Sequence, residues 1–254
     1  MALQTALFLF VAGALGGALN SVAGGGSFIS FPALLFSGVP PIPANATNSV
    51  ALWVGVVGSA RAYRKHFNLS RRVMIPLAIT SVIGGVGGAF LLLRTPAQTF
   101  LQLLPWLMLA ATLLFAFGSR LSRGLAGSVA HDASTRAITI AALFELGAAI
   151  YGGYFGGGLG IMNLAMLAAL GMTDIHAMNA LKVVLGGIIN GVAVITFIVA
   201  GAIAWRPGSF LIAGGLVGGY LGAHYAQKLP QAWVRAFVIV VGTTMTIYFF
   251  WKAY

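Results

Sequence analysis

Apolar positions dominate this chain, and polar ones gather in narrow seams between them. Eight apolar runs lie near 2–23, 44–63, 73–93, 97–118, 137–155, 176–200, 207–226 and 231–252. Each has roughly the 18–25 residues a helix needs to cross a bilayer. Two shorter runs, 27–37 and 159–170, each follow a glycine cluster. At about a dozen residues, or roughly 18 Å as helix, they suit re-entrant or broken helices, or short steep crossings. The pattern predicts an all-α polytopic membrane protein with eight long spans and up to ten helices.

One stretch breaks the pattern. Gly24-Gly25-Gly26-Ser27 opens the first short run, and Pro40-Pro41-Ile42-Pro43-Ala44-Asn45-Ala46-Thr47-Asn48 follows it. Consecutive glycines favour open backbone, and clustered prolines are read here as ending one element. Broken backbone at membrane depth persists only when buried in protein or lining a wet cavity. The prolines leave Asn45, Thr47 and Asn48 to cap the next helix.

The seams recur. Gly24–Gly26 is answered by Gly156–Gly158, Gly38 by Gly171, Ala46-Thr47-Asn48 by Ala177-Met178-Asn179, Gly84–Gly88 by Gly215–Gly219, and Arg94-Thr95-Pro96 by Lys228-Leu229-Pro230, at offsets of 131 to 134 residues. The chain reads as an internal duplication, with an N-terminal repeat over 1–118, a linker over 119–136 and a C-terminal repeat over 137–254. Such repeats mark transporters, with the substrate site between them.

Composition agrees with a membrane chain. Residues are 59% hydrophobic and 7% charged, against about 25% charged in soluble domains, and mean hydropathy is +0.97. The net charge of +11 belongs to the connections and follows the positive-inside rule, so it is no nucleic-acid signal. Loops 61–72 (Arg61, Arg64, Lys65, Arg71, Arg72) and 119–136 (Arg120, Arg123, Arg136) are expected in the cytoplasm. Re-entrant short runs would give eight crossings with both ends inside. Crossing ones would give ten, both ends outside and inverted repeats. Charge counting leaves both open. With no cysteine, thiol ligands and disulfides are excluded. Four histidines and three acids form no metal-ligand spacing, and no cofactor is expected. No Lys or Arg precedes the first apolar run, so it reads as a retained helix rather than a secretory signal.

Candidate chemistry sits at the seams. Glycine pairs at Gly84–Gly88 and Gly214–Gly219 fit close helix packing. Gly24, Gly25, Gly26 and Ser27, with Gly156, Gly157 and Gly158, read differently, since a helix starting at such a break points free N–H groups and a positive dipole end into the gap. Two aimed at one cavity would bind an anion. Asn45, Thr47, Asn48 and Asn179 offer side-chain contacts, and Asn48 and Asn179 serve equally as helix ties. Thr173, Asp174 and His176 stand at the corresponding entry in the second half. Lys182 lies one turn beyond Asn179 before Val183-Val184-Leu185, where a charge is costly unless it snorkels, pairs or meets an anion. Glu145 is the one acid deep in a span. It reads as a proton-coupling carboxyl, a neutral hydrogen-bonded group, or a partner of Lys182. Asn20, Asn163 and Asn190 are further buried polar candidates. Trp53, Trp106, Trp205 and Trp233 fit an interfacial aromatic belt. No nucleophile or phosphate-loop motif is present, so an enzyme is not expected.

Gly24-Gly25-Gly26 with its apolar run, Gly38, the prolines and Ala44-Asn45-Ala46-Thr47-Asn48 resembles the sulfite exporter TauE/SafE family. The second copy, Gly156–Gly160 through Asn179-Ala180-Leu181-Lys182, fits the same pattern, and the likeness covers nearly the whole chain. The resemblance implies a bacterial inner-membrane permease exporting sulfite or an organosulfonate, with Gly24–Ser27, Asn48, Gly156–Gly158 and Asn179 at the substrate. The second half lacks the proline-rich entry. The expectation is a secondary transporter of a small anion working by alternating access, with protons as candidate coupling ions. A passive anion channel and a carrier of another small solute are the alternatives. An all-apolar surface would hide a homodimer seam.

Overall fold

The structure is a computed structural model that describes residues 2–22, 24–60, 71–124, 134–172, 175–224 and 231–254. Within them it is entirely helical: α1 (Leu3–Val22), α2 (Ser27–Phe36), α3 (Pro41–Ala60), α4 (Arg71–Arg94), α5 (Ala97–Gly124), α6 (Thr135–Tyr154), α7 (Leu159–Ala169), α8 (Ile175–Val199), α9 (Trp205–His224) and α10 (Gln231–Ala253). The two short runs form α2 and α7, of 10 and 11 residues.

Among the described residues six helices are long and apolar enough to cross a membrane: Leu3–Ser21, Arg71–Arg94, Ala97–Phe117, Thr135–Tyr154, Ala177–Val199 and Trp233–Ala253. The expected spans 44–63 and 207–226 form α3 and α9, both 20 residues long, but neither is among the six. Their starts explain it. Asn45, Thr47, Asn48 and Ser49 dilute α3, and Trp205-Arg206-Pro207-Gly208 dilutes α9. The protein is a multi-pass membrane protein.

The proline reading needs correction. Pro41 and Pro43 lie in the first turn of α3 rather than before it. That turn has no intrahelical acceptors for its N–H groups, so proline fits there without losing a bond. Asn45, Thr47 and Asn48 are therefore inside α3 and do not cap it. α5 runs on to Gly124, and α6 begins at Thr135.

Packing contacts fix the relative direction of the helices. Gly13 and Gly17 of α1 press on the carbonyls of Leu211 and Gly215, and Gly222 reaches Ala18, so α1 and α9 run parallel. Gly84 meets Leu146 and Ala149, and Gly88 meets Ile150, so α4 and α6 also run parallel. A Cβ at Gly88 or Gly218 would fall on the carbonyl of Ile150 or Ala14. Absent side chains thus let these pairs approach backbone to backbone. Thr47, Ala51 and Gly55 follow Gly208, Gly215 and Gly219 in step, which sets α3 parallel to α9.

Aromatic pairs place the rest. Phe28 packs on Phe115 and Phe31 on Phe100, so α2 opposes α5. Tyr151 reaches the Leu107 carbonyl and Tyr154 packs on Phe100, so α6 opposes α5 as well. Arg235 at the start of α10 donates to the carbonyls of Phe115 (2.8 Å) and Ala116 (2.6 Å), and Tyr254 just beyond its end meets Trp106 at 3.2 Å. α5 and α10 are therefore antiparallel. Leu159 packs with Ala148 and Ala149 in mid-α6, while Met166–Ala168 pack with Ile138 and Ala141 at its start. α7 therefore opposes α6. Gly16 meets Ser30 and Gly26 meets Asn20, so α2 opposes α1. Gly85 meets Ile189 and Val192 while Val73 and Leu77 cluster with Leu181 and Leu185, so α8 follows α4, and each helix reverses its predecessor. The starts of α4 and α6 share one end, where Arg72 donates to Thr135 at 2.9 Å. Arg94, Arg206 and Lys252 lie at the opposite end.

Candidate functional site

Both glycine breaks lie against the middle of α5. A Cβ on Gly25 would sit 3.3 Å from Phe115 Cζ, and one on Gly158 3.5 Å from Ala111 Cβ. Ala111 and Phe115 are one turn apart on one face. Phe31 and Phe155 also meet there, with ring centroids 6.2 Å apart. Two half-length helices of opposite direction thus begin at neighbouring levels along α5, the first touching it through the Phe115 ring and the second through the Ala111 backbone, deep in the bundle.

The breaks are built from two kinds of glycine. Gly24 and Gly156 have φ of +84° and +82°, and Gly158, the residue before α7, has +78°. These are left-handed conformations that side chains rarely adopt. Gly25 and Gly26 are needed for space, since a Cβ would strike Val238, the Gly16 carbonyl or Leu52. Neither Gly26 nor Gly158 is capped by a side chain. Among the described residues no hydrogen bond uses the N–H of Gly25, Gly26 or Ser27, nor that of Gly157, Gly158 or Gly160. Orphan donors and dipole ends of this kind favour an anion.

The other expected residues divide. Asn48, buried in α3, accepts from Ser30 Oγ and donates to Ser27 Oγ at 3.2 Å. It ties α3 to the start of α2, the helix-tie alternative. Ser30 was not singled out from sequence, although its spacing of three from Ser27 puts both on one face. Asn45 donates to the Tyr154 carbonyl at 2.9 Å, joining α3 to the end of α6, and its Oδ1 has no partner among the described residues. Thr47 accepts from the Ala204 N–H at 3.0 Å. It therefore caps the approach to α9, not its own helix. Tyr151 donates to the Gly157 carbonyl at 2.7 Å and pins the second break.

Asn179 and Lys182 are partly buried on α8. The Lys182 stem crosses α7 at Gly160, where a Cβ would lie 3.2 Å from Lys182 Cδ. Glu145 is fully buried and its Oε1 accepts from Ser81 at 2.7 Å, while Oε2 has no partner among the described residues. Its partner is thus Ser81 on α4, and the alternative of a pairing with Lys182 is not seen among the described residues. Ser81 gave no sequence signal beyond its place in a glycine-rich helix. Asn163 is fully buried with neither amide atom bonded among the described residues, and Asn190 donates to the Gly186 carbonyl at 2.8 Å. Trp53 lies inside the bundle, donating to the Gly187 carbonyl at 3.0 Å, rather than in an interfacial belt. Thr173 and Asp174 lie outside the described residues, as does the His176 side chain. Among the described residues no cluster of His, Asp or Glu could hold a metal ion.

A cavity of about 540 Å³ opens between α4, α5 and α6, with Arg94, Thr95, Thr99 and Tyr154 on its wall and Tyr151 beside them. Through Tyr151 it adjoins the second break. A smaller one of about 260 Å³ lies between α2, α3, α5 and α10, lined by Gly38, Pro41 and Lys252 among others.

Comparison with known proteins places this arrangement. The family model described as "Sulfite exporter TauE/SafE" matches residues 9–249. A "Probable membrane transporter protein ORF9" from Sinorhizobium sp is 27% identical over 97% of this chain and 93% of its own length. A "Probable membrane transporter protein" from Haemophilus influenzae is 28% identical over 94% and 91%. "Probable membrane transporter protein YfcA" from Escherichia coli K12 is 27% identical over 94% and 87%. No solved structure matches the chain significantly. With a family model spanning almost its full length, the chain belongs to the sulfite exporter TauE/SafE family of membrane transporters.

Proposed function

We propose that the protein is a secondary transporter that carries a small anion, sulfite or an organosulfonate, out of the cytoplasm of a bacterial cell by alternating access. The observation that carries this reading is the pair of half-length helices, α2 and α7, beginning at mid-bundle with uncapped N–H groups. Discontinuous helices whose N-termini meet near the midplane are the usual way transporters hold anionic groups. Lys182 supplies the formal charge, and Asn179 lies one turn before it.

The reversal of every helix favours ten traversals, and hence two inverted five-helix repeats. The packing between the halves is reciprocal: α1 of the first on α9 of the second corresponds to α6 of the second on α4 of the first, and α5 pairs with α10. The positive-inside rule then assigns the α4 and α6 starts to the cytoplasm. Both chain ends, with Arg94, Arg206 and Lys252, lie outside in the inner membrane. Glu145, with one oxygen unbonded in the α4–α6 seam, is the candidate for proton coupling.

Uptake of labelled sulfite by proteoliposomes tests the reading. Saturable uptake, competed by organosulfonates, is expected. Flux that rises linearly with concentration supports a channel, and no flux of any small anion points to another solute.

A further inference from the structure

The polar side chains around the two breaks are unequally satisfied. In the first half Asn48 spends both ends of its amide on Ser27 and Ser30. In the second half Asn163 is wholly buried, and neither Oδ1 nor Nδ2 has a partner among the described residues. Leaving a buried polar group unpaired is unfavourable, and Asn163 leaves two atoms in that condition among the described residues. An apolar residue of the same size would be cheaper at this place if nothing came to meet it.

Position narrows what comes. Asn163 follows Leu159 by four residues and Gly160 by three, so it lies between two stripes of α7. Leu159 packs on Ala148 and Ala149 of α6. At Gly160 the Lys182 stem crosses from α8, in space a side chain would crowd. The Gly160 N–H has no partner among the described residues. An uncapped helix start, an ammonium stem and an unpaired amide thus lie within two turns of α7.

We propose that Asn163 and Lys182 form the specificity subsite of the second half, reading a mono-protonated oxyanion through its O–H as well as its oxygens. The chemistry follows from the amide. Nδ2 donates to an anionic oxygen, and Oδ1 needs a donor in return. A fully ionised sulfonate or sulfate has only acceptors and leaves Oδ1 unpaired. An oxyanion that keeps one proton satisfies both atoms, and Lys182 balances its single charge. The first-half cluster of Ser27, Ser30 and Asn48 is then a knot that holds the scaffold, and recognition is asymmetric. This inference rests on the anion-transport reading above.

The test is binding of sulfite, methanesulfonate and sulfate to purified wild-type protein and to Asn163→Leu and Asn163→Ser variants. Wild type should prefer sulfite near neutral pH, where a protonated form is present, over methanesulfonate, which has no O–H. Asn163→Leu should bind sulfite about tenfold more weakly, as expected for a lost hydrogen bond to a charged group, and should lose that preference. Its ligand-free melting temperature should equal or exceed wild type, because it removes an unpaired buried group, and this separates lost recognition from lost folding. Asn163→Ser, which keeps a donor and an acceptor, should fall between. Wild-type sulfite affinity in Asn163→Leu overturns the inference alone. A wild type that binds methanesulfonate as tightly as sulfite overturns the O–H reading. A wild type that binds none of the three anions overturns both the inference and the anion-transport reading beneath it.

Discussion

Lys182 stands where a charge has least support. Its stem lies along α7 at Gly160, and no carboxylate pairs with it among the described residues. A bound anion is the partner this geometry favours. Lys182→Ala is expected to weaken sulfite binding by about tenfold or more, the scale of a charge-assisted hydrogen bond, which isothermal titration in detergent would measure. Glu145 makes a different prediction. Glu145→Gln keeps an acceptor for Ser81 at the α4–α6 seam but cannot exchange a proton. Sulfite flux down its own gradient should persist, while accumulation driven by an imposed pH gradient disappears. A variant that still accumulates sulfite under that gradient removes Glu145 from coupling. The sequence made Glu145 and Lys182 conspicuous because each charge interrupts an apolar run. It could not reveal that Ser81 rather than Lys182 meets Glu145, because that contact joins residues 64 apart in the chain. Ser30 and Asn163 escaped emphasis for the same reason: a small polar residue in a short helix acquires meaning only from what faces it.

At the scale of elements, α2 and α7 are set by the glycines that precede them. Gly158 adopts φ of +78° at the start of α7. A side chain there costs about 1–2 kcal/mol in backbone strain and turns the break toward an ordinary helix. Gly158→Ala should lower the melting temperature by a few degrees and reduce transport more than Gly147→Ala, whose Cβ would meet nothing within 4 Å. Equal transport by the two variants would separate the break from the function. The glycine clusters and short apolar runs were readable in sequence because backbone breaks have a compositional signature. The start of α3 was not. Three prolines looked like a boundary after which capping begins, yet a helix accepts proline throughout its first turn. Thr47 then turned out to serve α9, a service no local pattern announces.

At the scale of the molecule, the alternation of helix direction supports the proposed ten-traversal topology over the eight-crossing one that charge alone left open. The absence of cysteine makes this directly measurable, since any introduced thiol is the only one. Gln98→Cys and Tyr254→Cys, both exposed positions at the Arg94 end, should react with an impermeant maleimide added outside intact cells. Ser134→Cys, at the opposite end beside α6, should react only after permeabilisation. The reverse labelling would invert the assignment, and labelling of all three from one side would remove the ten-traversal reading. Length, hydropathy and glycine spacing made the membrane class and the two breaks legible. The close backbone seams of α1 with α9 and α4 with α6 were foreseen only as glycine-rich packing, since periodicity does not say which helix a glycine meets.

The central claim is that two opposed half-helices form one anion site that faces each side of the membrane in turn. Trans-stimulation in proteoliposomes tests it most directly. Vesicles preloaded with unlabelled sulfite should take up external labelled sulfite faster than empty ones, and Lys182→Ala should abolish the difference. Uptake indifferent to internal sulfite, or equal in wild type and protein-free vesicles, would contradict the account.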